Sequence, residues 1–394
     1  MNIPQLNLTN QYHSIKKEID LAIESVLESG TVINGKNVAK IEKSIATYSG
    51  AKYGIGVANG SDALFIALKA LGIGRGDSVI TTPFTFFATA GSIARAGATP
   101  IFVDIESDTY NIDPKKLREY IHYNCRFYGN QLTGKQTGIP IKAIIPVHLF
   151  GQMCKMDEIM KIAKKYNLKV IEDSAQAIGS EYKGKKAGSY GDLATFSFFP
   201  TKNLGTYGDG GMIITSNPKY VEYCRVFRSH GADPKYYHKL VGINSRLDEI
   251  HAAVLNVKFK YLDTWLEDRF KVALRYLKLF RVNYDLSELP LSVYYSHSNH
   301  QEHTFNQYII YAKDRDKLRE HLKRNGIGTS IYYPLCLHLQ ECFKYLGYKV
   351  GDFPVAENAS KHVLALPMYP ELTEREQEYI VSKINEFYCK EYNA

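Results

Sequence analysis

The sequence predicts an α/β protein, a sheet wrapped by helices, followed by a smaller α+β domain. Three observations carry this. From residue 53 to residue 215, short apolar runs of strand length alternate with stretches of helical periodicity, the pattern of buried parallel strands and their crossover helices. Past Pro218 the alternation gives way to longer helices and mixed periodicity. The chain has 394 residues, 45% of them apolar; that is enough for two or three domains of roughly 100–200 residues, and too apolar for disorder. The division is expected near 250, with residues 1–250 as the large domain and 251–394 as the smaller one.

In chain order, apolar spacing predicts helices over 15–27 and 38–48, divided by Gly30 and Gly35. A strand over 53–57 ends at Asn59-Gly60-Ser61-Asp62, and Leu64, Ala67, Leu68 and Leu71 then keep helical spacing. Strands are predicted over 79–82, 101–103, 143–147, 169–172, 195–198 and 211–215, with helices over 86–96, 114–121 and 156–166. Residues 122–140 are polar and glycine-containing, which reads as a surface excursion. Helices over 219–227 and 247–280 lead into the second domain. There a strand over 304–312, a helix over 314–325 and a closing helix over 374–387 are predicted.

Charge and composition narrow the function classes. The net charge is +8 and is spread along the chain, which disfavours nucleic acid and suits an anionic small molecule. No apolar window reaches the roughly 20 residues of a membrane span, and the first residues lack a secretory pattern. The six cysteines fall outside zinc or CxxC spacing, so reduced thiols, no metal and a cytoplasmic location are expected.

Three segments carry candidate chemistry. Asn59-Gly60-Ser61-Asp62-Ala63 stands where a strand gives way to a helix, so it is either a phosphate cradle or an ordinary N-cap. Val170-Ile171-Glu172-Asp173-Ser174-Ala175-Gln176 puts carboxylates at the end of an apolar strand, where open α/β sheets bind ligands. Asp173 there either holds a cationic ring nitrogen or a metal, or caps the next helix. Lys202, in Ser197-Phe198-Phe199-Pro200-Thr201-Lys202-Asn203-Leu204-Gly205, sits among aromatics before a glycine-rich turn. An ordinary lysine is a free amine only on the order of once in two thousand at pH 7, and desolvation raises that fraction as Schiff-base chemistry requires. The alternative is a surface lysine. Two glycine-rich stretches, 72–76 and 134–138, lack the context of a dinucleotide or P-loop site.

Together with Gly208-Asp209-Gly210-Gly211 and Gly242-Ile243-Asn244-Ser245-Arg246-Leu247-Asp248, these segments resemble the DegT/DnrJ/EryC1/StrS family of sugar aminotransferases over nearly the whole chain. The resemblance implies the aspartate-aminotransferase type I fold and pyridoxal 5′-phosphate, cycling through pyridoxamine 5′-phosphate. It implies that Lys202 is the Schiff-base lysine and proton carrier, and that Asp173 pairs with the pyridine nitrogen. Gln176 would lie near the phenolic oxygen, Phe86 on the ring face, and Gly60, Ser61 and Ser197 on the phosphate. Asn244 would reach the phosphate in a neighbouring subunit, so a homodimer with shared sites is implied. Some relatives carry histidine at the lysine position and are dehydratases; Lys202 favours transamination. Asp209 and its neighbouring glycines are expected to shape the turn.

The resemblance also implies L-glutamate as donor, released as 2-oxoglutarate, and a nucleotide-linked keto sugar as acceptor. Arg228, Tyr236 and His238 are expected over the sugar nucleotide, with His148 and His338 as further pocket candidates or satisfied core histidines. A UDP-linked 3-keto-2-acetamido sugar for surface glycan, O-antigen or lipid A-type synthesis is the first expectation. The alternatives are a dTDP-linked 3-keto-6-deoxy sugar, a cyclitol, and a non-catalytic regulator on the same fold.

Overall fold

The computed structural model describes residues 1–283, 291–292 and 302–392. The chain opens with α1 (Leu8–Ser29) and α2 (Lys36–Tyr48), then β1 (Tyr53–Val57), α3 (Gly60–Ala70), β2 (Ser78–Thr81), α4 (Ala88–Arg95) and β3 (Thr99–Phe102). There follow α5 (Pro114–Asn124), β4 (Cys125–Tyr128), β5 (Gln131–Gly134), β6 (Pro140–Ile144), α6 (Met156–Lys165) and β7 (Lys169–Asp173). A two-residue ribbon, β8 (Glu181–Tyr182) and β9 (Lys185–Lys186), precedes β10 (Leu193–Ser197), β11 (Gly211–Thr215) and α7 (Pro218–Phe227). The remainder comprises α8 (Glu249–Lys258), α9 (Leu262–Asn283), β12 (Leu291–Ser292), β13 (Tyr308–Ala312), α10 (Arg315–Arg324), α11 (Pro354–His362), β14 (Val363–Leu366) and α12 (Glu374–Tyr392).

The main sheet runs β1-β11-β10-β7-β6-β2-β3. Neighbours from β10 to β3 are parallel, and β11 pairs antiparallel with both β1 and β10. Both faces are covered, and the period of two shows in the packing. Leu193 and Ile213 face the core built with α3 and α7, whereas Ala194, Phe196, Met212 and Ile214 face α2 and α8. Because β11 runs backwards between β1 and β10, its first residue Gly211 lies beside both Val57 and Ser197. The carboxyl ends of β1, β7 and β10 therefore share one rim with the start of β11.

Several expectations are corrected. The 122–140 excursion is at the surface as expected, with most of its residues exposed, but it is folded as a hairpin, β4–β5, and β5 pairs with β6 so that Leu132 is buried. The single helix expected over 247–280 breaks at a 3₁₀ turn, Phe259–Tyr261. The strand expected from 304 starts at Tyr308, because Thr304 and Asn306 instead donate their N–H groups to Gly151 and Phe150 carbonyls, both at 2.9 Å. Leu262 and Leu266 still pack with the large-domain core, and from Val272 onward α9 packs with β13, β14, α10 and α12. Ile3 joins that second core and bridges to Ile327, so the first residues belong with the C-terminal unit. Among the described residues no helix is long and apolar enough to cross a membrane.

Candidate active site

Close approach of backbones shapes the rim. A Cβ on Gly211 would lie 2.4 Å from the Asn59 carbonyl carbon, and one on Gly60 would lie 2.8 Å from Ser197 Cβ. Glycine at both positions lets the β1–α3 turn settle against the ends of β10 and β11. Asn59 caps α3 by accepting from the Asp62 N–H at 2.8 Å. The N–H groups of Gly60 and Ser61 belong to the first helical turn, which has no intrahelical partner for them and carries partial positive charge. The Ser197 hydroxyl sits on the same rim and accepts from the Phe199 N–H at 3.3 Å.

Asp173 ends β7 and is buried. Its carboxylate accepts from the Thr89 hydroxyl at 2.8 Å and from the Ala175 N–H at 3.3 Å. Burial raises its pKa, against the pull of those donors and of the Lys202 charge. Lys202 stands in the turn after β10, where its own N–H donates to the Phe199 carbonyl at 2.9 Å. It keeps some accessible surface, yet the surrounding protein desolvates the amine. Its pKa falls to about 8, with the Asp173 charge opposing. A lysine driven towards its neutral form beside a carboxylate that lacks a full set of donors is a reactive arrangement.

Gln176 is held at both ends of its amide: its Oε1 accepts from the Phe150 N–H at 2.7 Å, and its Nε2 donates to the Tyr333 hydroxyl at 3.1 Å. The Phe86 ring is 57% exposed and lies 6.2 Å, centroid to centroid, from the Tyr333 ring. Asn244 is exposed, on a segment bridged to Ser229.

The expected substrate residues divide. Tyr236 and His238 are exposed on the loop closed by the Ala232–His238 bridge, and His238 Nδ1 meets the His230 carbonyl at 2.9 Å. Arg228, His148 and His338 are buried, and each meets a carboxylate of the core. Arg228 donates to Glu42 at 2.8 Å and to the Gly56 carbonyl, beneath β1. His148 Nδ1 accepts from the Cys154 N–H at 3.2 Å, which leaves Nε2–H to donate to Glu172 at 3.0 Å. His338 lies 3.2 Å from Glu357, and burial lowers its pKa. Three residues at the site went unread in the sequence. Thr89 lies one turn from Thr85, and the two hydroxyls are 3.1 Å apart; that i, i+4 spacing was a usable signal. Phe150 and Tyr333 carried none.

The model of the DegT/DnrJ/EryC1/StrS aminotransferase family matches residues 13–385. The chain belongs to the DegT/DnrJ/EryC1/StrS aminotransferase family. A family member named pleiotropic regulatory protein, from Geobacillus stearothermophilus, is 54% identical over 98% of this chain and 99% of its own. The dTDP-3-amino-3,6-dideoxy-alpha-D-galactopyranose transaminase of Aneurinibacillus thermoaerophilus is 40% identical, covering 98% and 99%. The UDP-N-acetyl-3-dehydro-alpha-D-glucosamine 3-aminotransferase of Acidithiobacillus ferrooxidans is 38% identical, covering 95% of each. Among solved structures, S. venezuelae DesV in complex with a ketimine intermediate superimposes with a TM-score of 0.89 at 33% identity, covering 98% of each chain. Ntda of Bacillus subtilis, with bound cofactor PMP, gives 0.83 at 31%, covering 95% and 82%. This DegT/DnrJ/EryC1/StrS member is thus a pyridoxal-phosphate-dependent aminotransferase of the type I fold. The donor set fits the cofactor: a desolvated amine, a buried carboxylate suited to a cationic nitrogen, and a helix N-terminus flanked by serines.

Proposed function

We propose that this aminotransferase carries the amino group of L-glutamate to C3 of a nucleotide-linked keto sugar, a UDP-linked 3-keto-2-acetamido sugar, in the cytoplasm, for surface glycan or lipid A-type synthesis. The observation that carries the reading is the desolvated Lys202 amine beside buried Asp173, on the rim that the α3 N-terminus also faces. Pyridoxal phosphate supplies an aldehyde and a ring that accepts electrons. Lys202 Nζ would hold that aldehyde between turnovers and, when free, would take the proton from the donor's α-carbon and give one to the sugar carbon. Asp173 keeps a proton on the ring nitrogen, which preserves the ring's electron demand. Gly60, Ser61 and Ser197 bind the phosphate, Phe86 covers one ring face, and Gln176 donates to the phenolic oxygen. Tyr236 and His238 meet the nucleotide sugar. Exposed Asn244 reaches the phosphate of a second subunit, so a homodimer with shared sites completes each centre.

The names of the 38% and 40% identical relatives support amination at C3. The dTDP-linked 3-keto-6-deoxy sugar is the second reading, favoured by the Aneurinibacillus relative. The test begins with the visible spectrum. A band that bleaches with L-glutamate and returns with 2-oxoglutarate supports the donor half-reaction, and single turnover with UDP- and dTDP-linked 3-keto sugars then decides the acceptor. A band indifferent to glutamate removes the proposed donor. The name of the 54% identical relative raises a regulatory role; a biological output that survives Lys202→Ala would favour that role over catalysis.

A further inference from the structure

Gln176 has a fixed orientation. Its Oε1 is identified by the Phe150 N–H that donates to it at 2.7 Å, so the NH₂ end is the one facing Tyr333, whose hydroxyl oxygen accepts at 3.1 Å. An amide NH₂ carries two protons. One goes to Tyr333, leaving one for an acceptor in the site. Tyr333 comes from the C-terminal half of the chain, and its segment is tied down there. The Leu337 N–H donates to the Pro83 carbonyl at 2.8 Å, and the Tyr333 ring packs 6.2 Å from both Phe84 and Phe86. Burial, helped by the Asp173 charge, pushes the Tyr333 phenol up against the smaller opposing effect of Gln176, so it stays neutral.

We propose that Tyr333 is a positioning residue: it holds the Gln176 amide so that its remaining N–H meets the cofactor's phenolic oxygen, and so sets the pH at which the bound cofactor loses its proton. This rests on the pyridoxal-phosphate reading of the site. An N–H donated to that oxygen favours the anionic form. Loosening the amide therefore lets the proton persist to higher pH. At the net strength of one hydrogen bond, losing the contact whole would shift the midpoint by about 0.4–1.1 pH units, and losing only its hold by the lower part of that range, about half a unit.

The test is a spectrophotometric pH titration of the cofactor-loaded wild type, Tyr333→Phe, Gln176→Leu and the double variant. The ring of Tyr333→Phe still packs against Phe84 and Phe86, and thermal unfolding of each variant checks that it folds. Expected is an upward shift of the midpoint of about half a pH unit for Tyr333→Phe, absent when Gln176 is already leucine. An unshifted midpoint overturns the proposal, and so does an equal shift in the Gln176→Leu background, which a merely structural tyrosine would give. A wild type that forms no visible band with pyridoxal phosphate overturns the underlying reading as well.

Discussion

The pKa of Lys202 makes a quantitative demand on how the protein captures its cofactor. At a pKa of about 8, roughly one Nζ in ten is a free amine at pH 7, against on the order of one in two thousand for an ordinary lysine, a gain of about two-hundredfold. The perturbation is pH alone, followed by Asp173→Asn. Cofactor-stripped protein mixed with pyridoxal phosphate should develop its visible band at a rate that climbs about tenfold from pH 7 and levels above pH 9, with a midpoint near 8. A parallel run with a second small aldehyde separates the titration of the amine from that of the cofactor. The sign for the variant follows from the local charges. Asp173 holds the Lys202 pKa up, so Asp173→Asn moves the midpoint below that of the wild type. A rate still rising through pH 10, or an upward shift in Asp173→Asn, would falsify the claim that desolvation governs this lysine.

Three further outcomes follow from the geometry. Gly211→Ala places a methyl 2.4 Å from the Asn59 carbonyl carbon and 2.8 Å from the Gly60 nitrogen; at about 1–3 kcal/mol for such overpacking, cofactor affinity should fall about tenfold or more, read by equilibrium titration. Arg228→Ala removes the 2.8 Å ion-pair partner of the buried Glu42 carboxylate, which keeps the Gly56 N–H and the more distant Arg225, so denaturant unfolding should show a loss of up to about 3 kcal/mol, while KM for the nucleotide sugar stays at the wild-type value. A raised KM would return Arg228 to the substrate site. Tyr236→Ala and His238→Ala should raise that KM several-fold and leave the glutamate half-reaction unchanged in single-turnover kinetics; a slowed half-reaction would put the loop in the chemistry instead.

Legibility of the fold followed the range of the interactions. β11 was read at its observed bounds, 211–215, because a fully buried strand is an unbroken apolar run between turn residues. The β4–β5 hairpin was missed because its pairing with β6 rests on Leu132 and Thr133 meeting Ile141 and Pro140, a partnership that local polarity does not reveal. The start of α2 depends on an equally distant group. Glu249 accepts from the Gly35 N–H at 3.0 Å and the Val38 N–H at 3.1 Å, and nothing beside Gly35 in the sequence announces that carboxylate. The long 247–280 pattern was periodic throughout, and only packing shows that its two ends serve different cores.

At the site, the informative contrast is between neighbours on one strand. Glu172 and Asp173 were adjacent carboxylates, and the pleat sends them to opposite faces. Glu172 turns inward, where it accepts from the Gly188, Tyr190 and Gly191 N–H groups at 2.9, 2.7 and 2.6 Å and from His148 at 3.0 Å. Every lone pair is occupied, so that carboxylate is anchored and His148 with it. Asp173 has one hydroxyl and one weak backbone donor, which leaves its charge under-solvated at the rim that the Lys202 amine also faces. The number of donors on each carboxylate thus separates the structural acid from the one able to hold a cationic ligand. By the same criterion His148 is anchored through both ring nitrogens, whereas Arg228 and His338 each keep one buried nitrogen, Nε and Nδ1, without a partner beside their bonds to Glu42 and Glu357. Residue type raises all of these as candidates, and hydrogen-bond satisfaction sets Glu172 and His148 apart from Asp173.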